Sequence, residues 1–337
     1  MKTKVFLFVL SLLLLGYLIG PQPTTPVYTV QLPDVPANPA ELEPYIAHKE
    51  KLRKLKPGTA AEIIWSSDSL RHKTEYAIVY LHGFSASHHE GYPLHRNLAE
   101  RFGCNLYLAR LHEHGVDTSD ALLNFTAAGF YHSAVEALAI GQQIGEKVIL
   151  LSTSTGGTAA LKLAADFPDD VHALINLSPN IRINDPFAFL LNNPWGIHIA
   201  RIAIGGDYRY INGGPDYAKY WHDEYRIESL VELQELIETT MVPETFSKVS
   251  QPVFNGYYFV NEDQQDRVVK VSSIHWMHDL LATPDSLKVA VAFPEAGNHV
   301  LASPIKSKDA EGVEAAVVRF MEDVLKMKAT RTIVNHN

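Results

Sequence analysis

Three short stretches of this chain hold side chains that together could carry out nucleophilic catalysis. The first is Leu150-Leu151-Ser152-Thr153-Ser154-Thr155-Gly156-Gly157. An apolar strand-like run ends there, a tight turn follows, and a helix-like run begins. The spacing fits a G-x-S-x-G nucleophile elbow with Ser152 in place of the first glycine. A nucleophile on so sharp a turn needs small neighbours two residues away on either side. Serine is tolerable before it, and Gly156 meets the stricter need after it. The turn would expose the Ser154 hydroxyl and put the Thr155 N–H at a helix N-terminus, where a developing oxyanion is stabilised. The bland alternative is a helix cap made of serine and threonine.

The second stretch is Tyr80-Leu81-His82-Gly83-Phe84-Ser85-Ala86-Ser87, again at a strand end. Gly83 lets the backbone turn, and the Phe84 N–H would be a second oxyanion donor. His82 reads as a structural residue bonded within its loop. The third is Pro294-Glu295-Ala296-Gly297-Asn298-His299-Val300, after the last apolar run. The chain has 16 histidines, and position after the final strand is what sets His299 apart. A carboxylate to orient its imidazole is expected after the preceding strand. Glu262, Asp263 and Asp266 compete there, and the two that lose would be solvated loop charges.

These groups need a scaffold that brings strand ends together. After Leu81, short apolar runs alternate with helix-length segments. Residues 105–111, 147–152, 171–177, 252–260 and 287–293 read as strands. Residues 127–144, 155–166, 271–281 and 312–326 read as helices. Such alternation implies a parallel sheet with helices on both faces, and apolar runs such as Val148-Ile149-Leu150-Leu151 fit strands covered on both sides. Ahead of it, residues 60–66 and 76–81 read as a hairpin. The aromatic-rich segment of about 181–249 breaks the rhythm and is too long for a plain loop, so a helical cap is expected. Its Gly205-Gly206 and Gly213-Gly214 pairs would be hinges or simple turns.

The strand-end positions and the chain order Ser154, Asp266, His299 together resemble the α/β-hydrolase superfamily. The resemblance spans about residues 60–328. It is strongest to the branch with a helical cap after the sixth strand, which includes monoacylglycerol lipases, carboxylesterases and serine aminopeptidase-like proteins. It implies a triad of Ser154, Asp266 and His299. Asp266 is preferred to Asp263 and Glu262 because Asp266-Arg267-Val268-Val269 looks like the D-x-V-V pattern that follows the triad acid. It also implies an oxyanion hole from the backbone of Phe84 and Thr155, and no cofactor or metal. The expected activity is hydrolysis of carboxylic esters with an apolar acyl chain, such as a small-molecule or lipid ester. An amide hydrolase with the same triad and a non-catalytic binding protein are the alternatives. Two departures from the family pattern stand out: Ser152 at the elbow, and His112-Glu113-His114-Gly115 where relatives often carry G-H-G.

Composition narrows the field further. The 337 residues are 46% hydrophobic and 20% charged, ordinary values for a globular protein. The net charge of −9 argues against a broad nucleic-acid interface. The single cysteine, Cys104, excludes an internal disulfide and multi-cysteine metal sites. Lys2 and Lys4 precede an apolar run, so residues 1–20 read as an uncleaved membrane anchor or a signal peptide, with the rest of the chain exported. Prolines at 21, 23, 26, 33, 36 and 39 make residues 21–40 an extended spacer before the domain at 41–337. His88-His89 and His112-x-His114 suggest metal binding, but no accompanying ligand set supports it. Glu224, Glu228, Glu232 and Glu235 could bind a substrate amine, though their helical spacing favours a solvated face. Asn124-Phe125-Thr126 fits a glycosylation sequon, which has meaning only in a eukaryotic host.

Overall fold

The computed structural model describes residues 2–330. Its centre is a seven-stranded sheet. In chain order the strands are β1 (Glu62–Ile64), β2 (Thr74–Leu81), β3 (Asn105–Leu108), β4 (Gly145–Thr153), β5 (Ala173–Leu177), β6 (Val253–Tyr257) and β7 (Lys288–Ala292). Their order across the sheet is β1-β3-β2-β4-β5-β6-β7. All pairings are parallel except that of the edge strand β1 with β3.

The alternation of burial explains this arrangement. In β2, Val79 and Leu81 join one apolar core while Ile78 and Tyr80 join another on the opposite face. A strand buried on both faces belongs in the middle of a sheet. This is why the expected hairpin of 60–66 with 76–81 does not form. The short, partly exposed β1 takes the edge instead and pairs Glu62 with Leu108 and Ile64 with Leu106. Helices α4 (Ala127–Ile144) and α5 (Thr155–Asp166) cover one face, and α3 (Leu94–Phe102) and α11 (Ala310–Asp323) cover the other. Several starts are capped as their sequences suggest. Thr126 Oγ accepts from the Gly129 N–H at α4, and Asp309 Oδ1 from the Gly312 N–H at α11.

Between β5 and β6 lies the helical insertion: α6 (Gly196–Ile204), α7 (Pro215–Tyr220), α8 (Glu228–Thr240) and α9 (Pro243–Phe246). A small hairpin of Tyr208–Tyr210 with Glu224–Arg226 ties it together. Counted along this sheet, whose described part has seven strands, the insertion follows the fifth. Helix α10 (Val271–Leu280) then joins β6 to β7.

At the N-terminus α1 spans Lys2–Leu18, and α2 spans Pro39–Lys51. At 17 residues, α1 reaches about 26 Å, short of the roughly 30 Å hydrocarbon core of a bilayer. Among the described residues no helix is long and apolar enough to cross a membrane, so the expectation of a spanning anchor over residues 1–20 is not supported. The proline-rich stretch is extended, but it lies along the domain. Tyr28 shares a hydrogen bond with Thr239 of α8 at 2.6 Å and meets Tyr131 edge-on. Leu32 and Val35 also pack on the core.

The register aligns the C-terminal ends of the parallel strands. Leu81 lies beside Ser152, Thr153 beside Leu177, Leu177 beside Gly256, and Tyr257 beside Ala292. The residues that follow them therefore emerge along one rim. Because the chain runs from β2 outward to β3 and then back to β4, the β2 and β4 ends flank the point where strand order reverses, the usual ligand position in such sheets.

Candidate active site

The β4–α5 turn is the most constrained point on that rim. Ser154 has φ 53° and ψ −119°, in the positive-φ region that non-glycine residues rarely occupy. Its N–H donates to the Leu177 carbonyl at 3.0 Å, and its own carbonyl accepts from Gly157 and Asn180. A side chain at Gly156 would collide with the Leu81 carbonyl and come within 2.8 Å of the His82 carbonyl oxygen. Glycine is therefore required two residues past Ser154. Two residues before it, serine is accommodated because it finds a partner. Ser152 Oγ donates to Asn176 Oδ1 at 2.8 Å, and Asn176 Nδ2 donates to Asn255 Oδ1 at 3.0 Å. Asn255 in turn bonds His278 Nδ1 at 3.1 Å. This polar ladder crosses β4, β5 and β6 beneath the elbow, where each buried group is satisfied by its neighbour.

The loop after β2 is held by imidazoles and one carboxyl. His82 Nε2 accepts from the Leu111 N–H at 3.0 Å, so its Nδ1–H is the donor to the Gly83 carbonyl at 2.9 Å. Burial lowers its pKa to about 4, which keeps it neutral and confirms its structural place. His114 works the same way. Its Nε2 accepts from the Ser85 N–H and its Nδ1–H donates to the His112 carbonyl, with burial holding its pKa well below the ordinary value. Both ring nitrogens are thus used inside the loops. His89 stacks on Tyr220 with centroids 3.7 Å apart. Among the described residues no group of three or more ligating side chains is arranged to hold a metal ion. The Phe84 and Thr155 N–H groups have no hydrogen-bond acceptor among the described residues, so both are free to meet a ligand oxygen.

The loops after β6 and β7 bring two of the expected residues together. His299 Nδ1 and Asp266 Oδ2 are 2.6 Å apart. Asp266 is fully buried, and its Oδ1 accepts from the Val268 and Val269 N–H groups at 2.8 and 3.1 Å. Asn184 from the insertion donates to the Asp266 carbonyl. Glu262 and Asp263 stay exposed on the neighbouring turn. His299 is fixed from its other side by Ser178, whose Oγ donates to the His299 carbonyl at 2.7 Å. Burial by itself would lower the His299 pKa. The charge and hydrogen bond of Asp266, helped by Glu90, outweigh burial and raise it. The Ser154 hydroxyl and His299 Nε2 have no hydrogen-bond partners among the described residues.

Sequence reasoning missed Glu90, which sits beside these groups. It is 3% exposed, and its Oε2 accepts from the Gly83 N–H at 2.6 Å. Nothing in His88-His89-Glu90-Gly91 distinguishes it from a solvated loop charge. The acidic run of the insertion also differs from the solvated face expected of it. Glu228 pairs with Arg201 and Arg226, Glu232 accepts from the Ala127 N–H at the start of α4, and the buried Glu235 accepts from Asn192. These three are held in hydrogen bonds and ion pairs within the fold, and Glu224 stays exposed.

The insertion covers the site. Tyr217 of α7 and Trp221 just after it pack against Ala86 and Val300, which flank Gly83 and His299. Ser154 is left 6% exposed. Two clefts lie elsewhere. One of about 520 Å³ lies between α2 and α4, and one of about 600 Å³ lies between α8 and the 181–189 segment. None of Ser154, Asp266 and His299 lines either cleft.

Comparison with known proteins agrees with the architecture. The sequence pattern of the alpha/beta hydrolase family matches residues 78–316. No curated protein sequence matches. Among solved structures, a metagenome-derived lipolytic enzyme superposes with a TM-score of 0.63 at 16% identity, covering 80% of this chain and all of its own. The monoacylglycerol lipase of Paleococcus ferrophilus gives 0.55 at 16% identity, covering 78% of this chain and 98% of its own. Est1E of Butyrivibrio proteoclasticus, solved with ferulic acid, gives 0.54 at 17% identity, covering 79% and 95%. At such identities these structures speak for the fold. Together with the family match over residues 78–316, they make the chain a member of the α/β-hydrolase family.

Proposed function

We propose that this hydrolase cleaves carboxylic esters through an acyl-enzyme on Ser154. The observation that carries the reading is the backbone of Ser154. A serine held at positive φ between a buried strand and a helix costs on the order of 1–3 kcal/mol, and such strain gathers where a side chain must be presented for chemistry. In the proposed mechanism the Ser154 hydroxyl attacks the acyl carbon while His299 Nε2 takes its proton. Asp266 keeps the other imidazole proton on Nδ1 and stabilises the imidazolium. The free N–H groups of Phe84 and Thr155 receive the oxyanion, each worth roughly 3–4 kcal/mol by analogy with other oxyanion holes. His299 then protonates the leaving alcohol, and water repeats the steps to release the acid.

Two features support an ester with an apolar acyl chain. The cover over the site is aromatic, formed by Tyr217 and Trp221. Three of the four glutamates that could have recognised a substrate amine, Glu228, Glu232 and Glu235, are engaged elsewhere. The metagenome-derived lipolytic enzyme and the monoacylglycerol lipase named above point the same way as analogies. The test is a comparison of p-nitrophenyl esters of increasing chain length with aminoacyl naphthylamides. Faster turnover of esters, improving from acetyl to medium chains, is expected. Faster turnover of the naphthylamides would replace this reading with an aminopeptidase. The charged and then apolar start of the chain further supports an exported protein, a proposal that cell fractionation would test.

A further inference from the structure

Glu90 is a buried carboxyl beside the candidate site that the proposed steps do not use. It lies in the turn directly after the loop that carries the Phe84 donor. Its Oε2 takes the Gly83 N–H, one peptide before that donor. A side-chain carbon placed on Gly83 would stand 2.9 Å from Glu90 Oε2 and 2.9 Å from the Ser154 Cβ, so glycine here is what allows the carboxyl and the nucleophile to face each other across the loop. Each element around Glu90 presents a definite group. Tyr80 comes from β2, His299 from the loop after β7, and Tyr217 and the Trp221 indole from the insertion. Its neighbours His88 and His95 are held neutral by burial, with pKa values near 2 and 3. That leaves His299 as the cation that forms beside it.

We propose that Glu90 is a positioning residue with two tasks: it fixes the oxyanion loop through the Gly83 N–H, and it shares the proton balance of the His299 imidazole. This rests on the reading of Ser154 as nucleophile. The second task has a physical basis in the arrangement. A carboxylate near an imidazole favours the imidazolium, and here the Glu90 charge adds to that of Asp266 in raising the His299 pKa. Burial, first of all, raises the Glu90 pKa to about 7, the Gly83 N–H and His299 opposing it.

The test is the pH dependence of Ser154 phosphonylation by a fluorophosphonate in wild type, Glu90→Gln and Glu90→Ala. Glutamine keeps an oxygen for the Gly83 N–H and removes the charge. Its plateau rate should stay within about threefold of wild type, and its acid limb should move down by roughly 0.5–1 pH unit. Alanine removes the anchor as well, and its plateau should fall at least about tenfold. An unmoved limb in Glu90→Gln, or a plateau as low as that of alanine, would overturn the inference. No labelling of wild-type Ser154 is a different result: it would remove the nucleophile reading itself.

Discussion

Replacing Asp266 by asparagine probes the imidazole most sharply. Two of the three hydrogen bonds to this side chain come from backbone donors, Val268 and Val269, both to Oδ1. An asparagine keeps them only by putting its carbonyl oxygen there. Its NH2 then occupies the Oδ2 position, 2.6 Å from His299 Nδ1. Two donors would face each other unless the imidazole proton moves to Nε2. That tautomer cannot accept the Ser154 proton. The same change in a serine-protease triad costs about 10⁴-fold in kcat, or about 5 kcal/mol of transition-state stabilisation, and a similar loss is expected here. The acid limb that remains should move to lower pH, because burial, which depresses the His299 pKa, is then opposed only by Glu90. Steady-state ester hydrolysis from pH 5 to 9 measures both effects. Asp263→Asn, at an exposed turn, should stay within about twofold. Asp266→Asn within tenfold of wild type, or Asp263→Asn equally damaged, would refute the reasoning.

Other consequences follow from the same geometry. Gly156→Ala should destabilise the fold by at least about 3 kcal/mol in urea unfolding, since the added methyl meets the backbone carbonyls of Leu81 and His82, which cannot rotate away; a neutral result would contradict the elbow packing. Ser152→Ala leaves Asn176 Oδ1 without its donor and should cost about 1–3 kcal/mol, read in the same assay, while leaving Ser154 labelling intact. The Glu90 contribution to stability should decline as pH rises from about 4.5 to 7, opposite in sign to the gain from the buried neutral imidazoles His82, His88 and His95. Folded Glu90, with a pKa raised to about 7, holds a proton that the unfolded chain has already released, a difference on the order of 3 kcal/mol. In thermal melts the stability of wild type relative to Glu90→Gln should therefore fall over that range, and a constant difference would count against a buried, protonated Glu90.

Much of this was legible in the sequence because it depends on local pattern. Apolar runs alternating with helical segments specify a parallel sheet, and residues at strand ends must then share a rim. That logic singles out Ser154, Asp266, His299, Phe84 and Thr155 as candidates, and the structure brings Asp266 and His299 into hydrogen-bond contact. What the sequence concealed depends on strand order. The edge position of β1 follows from β2 being buried on both faces, a property of the assembled sheet. The Ser152–Asn176–Asn255 ladder needs three strands in register. Its one advance signal was an asparagine inside each of the apolar runs 173–177 and 253–257, since a buried amide requires a partner. Glu90 gave no signal, because its burial and its bond to the Gly83 N–H depend on how the chain after β2 folds back on itself. The proline-rich stretch was read as a spacer by composition, which reports extension but is silent about the Tyr28 contacts that lay it against α8 and Tyr131.

The central claim is that the Ser154 oxygen is the group that bonds to the acyl carbon. Treating the protein with a fluorophosphonate and mapping the adduct by peptide mass spectrometry tests it directly. A single adduct on Ser154, abolished by Ser154→Ala and strongly slowed by His299→Ala, is the predicted result. An adduct on another serine, or none on folded protein, would contradict it.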